Sequence, residues 1–413
     1  MTKRVDAGHE TDHQKDTSQT VAIMTDSSSP STTGTTPPTP TVPLLAVAGV
    51  GVVVCVVGAM LQGKAFWAGY LVAAWYWLGV SLGCLGIGLI HRTTEGRWGH
   101  AIGRELHSGI AALVVSLIAC GLLVAGAEAI YPWASAESSA SQLNDHQKQY
   151  LEPMLVLGRF VLFSLLWLGH SFWMLRRYRS QAKDVHNVPA PKMAAISLAL
   201  FFIAASFTGI DLVMSLSPGW MSSLFPLLLM MNFSTSGMAL CIIIRCRRLE
   251  HPTEDQLALT HDLSNLLQAF NLLWAYLAFS QYLIIWSGDL PYEVDWYLER
   301  RTAIGVWASM ALFLFRFLFP FVLLLSRDLK RSPTRVRWVA ALLLVMCLVD
   351  IGWVILPSID ASSVGMIVFT VASWLAIGAI WLLMFFRSYS RLPKGRFEDA
   401  ASDVENLPHG AHA

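Results

Sequence analysis

Ten continuous apolar stretches, at 44–62, 66–90, 105–130, 154–175, 193–216, 219–245, 262–287, 302–326, 336–356 and 363–386, constrain this chain more than any other feature in it. A hydrocarbon core about 30 Å thick takes about 20 helical residues to cross. Inside that core only helices and closed barrels satisfy their own backbone groups. Unbroken apolar runs of this length predict helices rather than strands, so the chain reads as an all-α, polytopic membrane bundle of about ten transmembrane helices. The composition points the same way: 54% of the 413 residues are hydrophobic and only 14% charged, where soluble domains carry about a quarter. A net charge of +1 gives no reason to expect a nucleic acid partner, because the charges are sorted by loop.

The loops after the second, fourth, sixth and eighth stretches hold Arg92 and Arg97; Arg176, Arg177, Arg179, Lys183 and Lys192; Arg245, Arg247 and Arg248; and Arg327, Lys330, Arg331 and Arg335. The opposite loops hold only Lys64, Lys148, Arg300 and Arg301. By the excess of Lys and Arg in cytoplasmic loops, the strongly basic side faces the cytoplasm and both termini lie there. Residues 1–42 are rich in Ser, Thr and Pro, lack the apolar side chains a core needs, and read as a disordered cytoplasmic arm rather than a cleavable signal. The domain organisation is then this arm, a membrane domain over 43–387, and a polar cytoplasmic tail over 388–413. Trp67, Trp133, Trp220, Trp286 and Trp296 fall near the span boundaries, where an aromatic belt is expected. The six cysteines, at 55, 84, 120, 241, 246 and 347, sit in or beside apolar runs, with no haem-attachment or iron–sulfur spacing. They read as small packing residues; if the protein takes part in electron transfer, the metal centres are expected on partner chains.

Ionisable groups at membrane depth are costly and mark candidate sites. At 1.5 Å per helical residue, Glu128, Arg159, Asp211 and Asp350 fall in the outer third of the membrane, with Gln281 near the same depth. Arg316, Asn232, Asn271 and Gln268 fall near the middle or somewhat inward, and His107, His170, His261 and Asp262 at the inner third or boundary. Carboxylates and histidines pass protons because burial and partners tune their affinity for them, so the set predicts a trail from one face to the other. The bland alternative gives each group a structural partner. His170 and Asp211 sit on successive helices of opposite direction, on the order of 20 Å apart, and cannot share one small head group. Arg159, Asp211 and Asp350 make a better cluster by depth. The "SPGW" at 217–220 predicts a tight hairpin between the fifth and sixth stretches, and Pro320, four residues after Arg316, predicts a kink.

Three segments, "HDLSNLLQAFNLLWAYLAFSQYLIIWSGDLP" (261–291), "FLFRFLFPFVLLLSRDLKRSP" (313–333) and "VDIGWVILPS" (349–358), resemble the F subunit of bacterial alternative complex III, a quinol:cytochrome c oxidoreductase. "DLVMSLSPGW" (211–220) resembles a hairpin shared with its paralogue, the C subunit, within the NrfD-like group. The likeness covers roughly 154–386, and the most specific element is "WAYLAFSQYLIIW". It implies ten helices including two four-helix bundles, no haem or iron–sulfur cluster on this chain, and a place in the bacterial inner membrane. The implied partners are the C-type paralogue, an iron–sulfur subunit, multihaem cytochrome c subunits and a terminal oxidase, besides membrane lipid. The family is labelled quinone-binding, yet its better-supported quinol pocket belongs to the C subunit, and the F subunit is a candidate for proton conduction. The exit of the seventh stretch departs from the family's Asn-Leu-Pro-Glu-Glu in reading Asp289, Leu290, Pro291, Tyr292 and Glu293.

The sequence reading is therefore a membrane subunit of a quinol-oxidising complex. Arg159, Asp211, Asp350, Gln281, Glu128 and Arg316 form its polar cluster, on the quinone side or in a proton path. His170, His107, His261 and Asp262 serve the inner half. A self-contained secondary transporter and a purely structural anchor are the other two classes, although no internal repeat favours the transporter.

Overall fold

The computed structural model describes residues 41–61, 63–135, 143–183, 191–361 and 363–393. Most of the arm assigned to 1–42 and the tail beyond 393 lie outside them. Among the described residues ten helices are long and apolar enough to cross a membrane. They are span 1 (Thr41–Met60), span 2 (Gly63–Thr94), span 3 (Gly103–Ile130), span 4 (Pro153–Gln181) and span 5 (Pro191–Leu216). The rest are span 6 (Phe225–Arg247), span 7 (Glu254–Gly288), span 8 (Ala303–Leu323), span 9 (Pro333–Ser358) and span 10 (Val364–Arg391). The protein is a multi-pass helical membrane bundle. Below, the end carrying the Arg-rich loops is the basic end and the other the acidic end.

Spans 2 to 5 pack around one another, and spans 6 to 9 form a second set of four, the two joined chiefly along spans 2 and 6. Spans 1 and 10 pair with each other and cover span 2. Burial follows this arrangement: 94% of the apolar window of span 2 is buried, against 17% for spans 1, 4 and 8, which leave most of their apolar surface uncovered by the rest of the chain. Packing of this kind cannot rest on the hydrophobic effect, since lipid is as apolar as leucine, and depends on close approach at small residues. Gly79 and Gly83, four apart on span 2, supply it. A Cβ on Gly83 would stand 1.9 Å from the carbonyl oxygen of Phe233 on span 6, and one on Gly237 would stand 2.8 Å from the backbone nitrogen of Cys84. The sequence reading did not single out this G-x-x-x-G spacing.

Local chemistry explains where the helices depart from the apolar stretches. Span 6 begins at Phe225 rather than 219, because Pro226 sits at a helix start and Ser217 to Leu224 form the turn. Span 7 begins at Glu254, eight residues before its apolar run, on a reciprocal cap in which Thr253 accepts from the Gln256 backbone N–H and Gln256 from that of Thr253. It ends at Asp289 in the left-handed conformation, φ 47°. The acidic exit read as a loop is itself a helix, Pro291–Leu298, opened by its proline. Span 8 is α-helical over Ala303–Ala311, passes through a π-helical segment, Leu312–Leu318, and returns to α at Phe319. Pro320 offers no N–H and its ring crowds the carbonyl four residues back, so the turn that bears Arg316 widens.

The aromatic-belt reading needs correction. Trp133, Trp220 and Trp296 are buried, and only Trp286 among those named is broadly exposed, at 67%. Trp220 stacks on Trp296 with centroids 4.6 Å apart, pinning the turn before span 6 to the Pro291–Leu298 helix.

Candidate functional site

Four helices of the second bundle each put one polar side chain at the same point. Asp350 of span 9 receives Nδ2 of Asn232, from span 6, at 2.7 Å, and Nε1 of Trp274, from span 7, at 3.1 Å. Arg316 of span 8 places Nη1 at 3.8 Å from the same carboxylate oxygen. That nitrogen donates to Sγ of Cys347 at 3.0 Å, and the guanidinium lies 4.2 Å over the Trp274 ring. Arg316 is fully buried, and Asp350 is 3% exposed. The π-helical turn before Pro320 carries Arg316, and π-bulges recur at functional sites.

The cluster is not closed on itself. Nε and Nη2 of Arg316, Oδ1 of Asn232 and Oδ1 of Asn271 are buried without a hydrogen-bond partner among the described residues. Buried polar groups are nearly always satisfied, by protein or by ordered water. Two open donors and two open acceptors can coordinate internal water beside an ion pair.

Polar groups lead away from Asp350 in both directions along span 7. Toward the basic end stand Asn271 and Gln268, at the three-residue spacing that keeps them on one helix face. The Lys330 ammonium donates to Gln268 Oε1 at 2.6 Å and to Asn265 Oδ1 at 2.7 Å. Lys330 belongs to the short Arg327–Lys330 helix outside the spans, and burial pushes its ammonium below the usual lysine range. Asn265 Nδ2 lies 3.3 Å from Nδ1 of His261, which in turn lies 3.7 Å from the Asp262 carboxylate. Toward the acidic end Gln281 accepts from Ser222 at 3.1 Å and donates to the Tyr297 hydroxyl at 3.5 Å. From Gln268 to Gln281 the helix rises about 20 Å, two-thirds of a hydrocarbon core.

The cluster expected from depth, Arg159 with Asp211 and Asp350, divides in two. Arg159 holds Asp211 in a two-pronged pair at 2.9 and 3.0 Å within the first bundle, and also donates to the Tyr150 carbonyl and lies over the Tyr150 ring. Asp350 pairs instead with Arg316, placed further inward by counting residues. The long Arg316 side chain and a widened turn close a gap that counting along straight helices leaves open. Glu128 lies at the rim of the acidic end, exposed, on a hollow of about 920 Å³ shared with Asp295, Glu299 and Asp360. Burial pushes the Glu299 carboxyl above the usual range, Arg300 opposing the shift. His107 stacks on Tyr178 at 4.1 Å, its Nδ1 at 2.6 Å from the Gly103 carbonyl. His170 is half-buried on span 4, with Nδ1 unpartnered among the described residues. Of the four inner-half candidates, His261 and Asp262 join the polar group around Lys330 at the basic end of span 7. His107 and His170 stand in the first bundle.

Beside Asp350 an aromatic groove of about 630 Å³ runs between spans 7 and 8, with Tyr276, Phe279, Gln281, Tyr297 and Phe313 among its walls. Among the described residues no group of three or more His, Cys, Asp or Glu is arranged to hold a metal ion. Fold and site define a polytopic helical membrane protein with an ion pair in each of two four-helix bundles, buried in the second and partly exposed at Arg159 in the first. No protein-family model and no curated protein matches the sequence. The participants that the sequence reading left out of its site are Asn232, Trp274, Lys330, Tyr297 and Tyr150. Asn232 and Asn271 were legible as amides at membrane depth, although not their partners. Trp274 and Lys330 gave no signal apart from their eventual partners.

Proposed function

We propose that this chain is the membrane subunit of a quinol-oxidising respiratory complex, bearing no redox centre itself, and that its second bundle conducts protons through Asp350. The observation that supports this most is the meeting of four helices at one buried carboxylate, with open donors and acceptors around it and a polar stripe leading to each end of span 7. The residue patterns at 261–291, 313–333 and 349–358 support the same assignment.

In this reading the chain delivers protons; the oxidation of quinol and the onward electron transfer belong to the complex. With the Arg-rich end toward the cytoplasm, His261, Asp262 and Lys330 gather protons at the inner mouth. Water held by Gln268, Asn271 and the free edge of Arg316 hands them to the Asp350 carboxylate. A proton arriving at Asp350 neutralises the partner of Arg316, whose guanidinium then turns to other acceptors. On release toward Gln281 and Tyr297 the pair re-forms. Arg316 makes occupancy transient, and the asparagine and tryptophan donors hold the carboxylate in place through the cycle.

Purification from native membranes tests the assignment. The chain is expected to co-elute with a haem-bearing cytochrome and an iron–sulfur subunit, and the preparation to oxidise quinol. Elution as a single polypeptide that moves a solute on reconstitution would contradict it and favour a transporter.

A further inference from the structure

At the acidic end, where Glu128, Asp145, Glu293, Asp295, Glu299 and Asp360 dominate, Arg300 and Arg301 form a basic island. Both line a hollow of about 440 Å³ with Asp289, and this hollow adjoins the aromatic groove through shared walls at Tyr282, Tyr297, Ser309 and Trp353. Arg300 is 2% exposed. It stacks on Trp296 at 3.3 Å and donates to the carbonyls of Trp296 and Val354 and to Ser358 Oγ. Its Nη1 also lies 3.6 Å from the carboxylate of the half-exposed Glu299, which a phosphate would have to displace or share the guanidinium with. Its Nε is buried with no partner among the described residues. Arg301 is exposed, and no ion pair is found for it among the described residues.

The groove beneath has the form of a lipid chain's bed. Along span 7 it extends from Tyr282 to Leu272, about 15 Å of helix, or half a hydrocarbon core of about 30 Å. That is one leaflet. Its outer wall is open, with Tyr276 65%, Phe279 63% and Phe313 57% exposed. The carboxylate and the amide in its wall are already engaged, Asp350 by Asn232, Trp274 and Arg316, and Gln281 by Ser222 and Tyr297, while Nε1 of Trp353 is a buried donor with no partner among the described residues. A quinol's two hydroxyls would find few free partners there, whereas a hydrocarbon chain needs none.

We propose that hollow and groove together hold one phospholipid of the leaflet at the acidic end, its phosphate at Arg300 and Arg301, its headgroup ammonium at Asp289, and one acyl chain along the groove. Guanidinium groups match phosphate oxygens in charge and geometry. Burial pushes the Arg300 guanidinium down to about 9, still above neutral pH, so both arginines bring positive charge. Asp289, fixed at the end of span 7, favours a headgroup amine able to donate hydrogen bonds. Ethanolamine has one; choline, with no N–H, and glycerol, with no positive charge, do not. The groove shares Asp350, Gln281 and Tyr297 with the proposed proton path, but lipid retention and proton transfer are read separately, so either can fail alone.

The test uses the full-length chain in nanodiscs made from equal parts phosphatidylethanolamine, phosphatidylglycerol and phosphatidylcholine. After transfer to detergent, retained lipid is counted by native mass spectrometry. Wild type is expected to hold one phosphatidylethanolamine, enriched about tenfold over phosphatidylcholine, as one charge-assisted hydrogen bond implies. Arg301→Gln lowers retention of phosphatidylethanolamine and phosphatidylglycerol alike. Asp289→Asn, tolerated at a left-handed position, erases the preference between those two. Ser309→Phe fills the shared wall and expels the chain. Arg301 and Asp289 are exposed, so these two variants test the site without burdening the fold. Equal retention in wild type and Arg301→Gln, binding without headgroup preference, or a quinone in place of a phospholipid would each overturn the proposal.

Discussion

Arg316→Met is expected to destabilise the bundle by about 3–5 kcal/mol, the usual cost of removing one partner from a buried ion pair. Methionine fills much of the space of the arginine stem but leaves the Asp350 carboxylate charged, 3% exposed and without its cation. Asn232 and Trp274 still donate to it, and two neutral hydrogen bonds do not replace the charge. A second change, Asp350→Leu in the Arg316→Met background, is expected to restore most of the loss, because no isolated charge then remains. Recovery stays incomplete: Trp274 loses its acceptor, at about 1–3 kcal/mol for an unsatisfied group, while Asn232 keeps the Cys347 carbonyl at 3.2 Å. Unfolding of the reconstituted chain, followed by tryptophan fluorescence for wild type, both single variants and the double variant, gives the coupling directly.

Gly83→Ala is the other substitution with a large expected effect. Its methyl carbon would fall 1.9 Å from the Phe233 carbonyl oxygen, and the atom in the way is backbone, which cannot swing aside as a side chain can. Spans 2 and 6 must separate, and their contact joins the two four-helix sets. The expected loss is about 3 kcal/mol or more, at the upper end of overpacking costs. Gly49→Ala serves as the control, since nothing stands within 4 Å of its added carbon. The same unfolding measurement should separate the two by most of that amount.

Sequence sufficed for the number of spans because each is a long apolar run, and run length is a one-dimensional property. It failed where the determinant lies in another helix. Gly83 reads as one glycine among several until Phe233 is set against it. Asp350 and Arg316 fall at different depths by counting, yet meet through side-chain length and the π-helical turn before Pro320. The approach of Arg159 to Asp211 was visible in depth, although Tyr150, which completes their surroundings from the short Asp145–Tyr150 helix, was not. The Pro291–Leu298 helix passed for a loop because acidic residues mask its start, and its role emerges only with Trp220 stacked on Trp296.

Proton movement by the assembled complex tests the central claim most directly. Complexes carrying Asp350→Asn with Arg316→Gln, a pair that leaves no unbalanced charge in the bundle, are reconstituted in liposomes and supplied with quinol and oxidised cytochrome c. Proton transfer across the membrane is followed with an enclosed pH dye, and electron transfer with cytochrome c absorbance. The account expects assembly and quinol oxidation near the wild-type rate, with proton transfer through the membrane slowed about a hundredfold, the low end of what a positioned acid–base group contributes. An unchanged ratio of protons moved to electrons transferred would contradict it and reduce Asp350 and Arg316 to a structural pair.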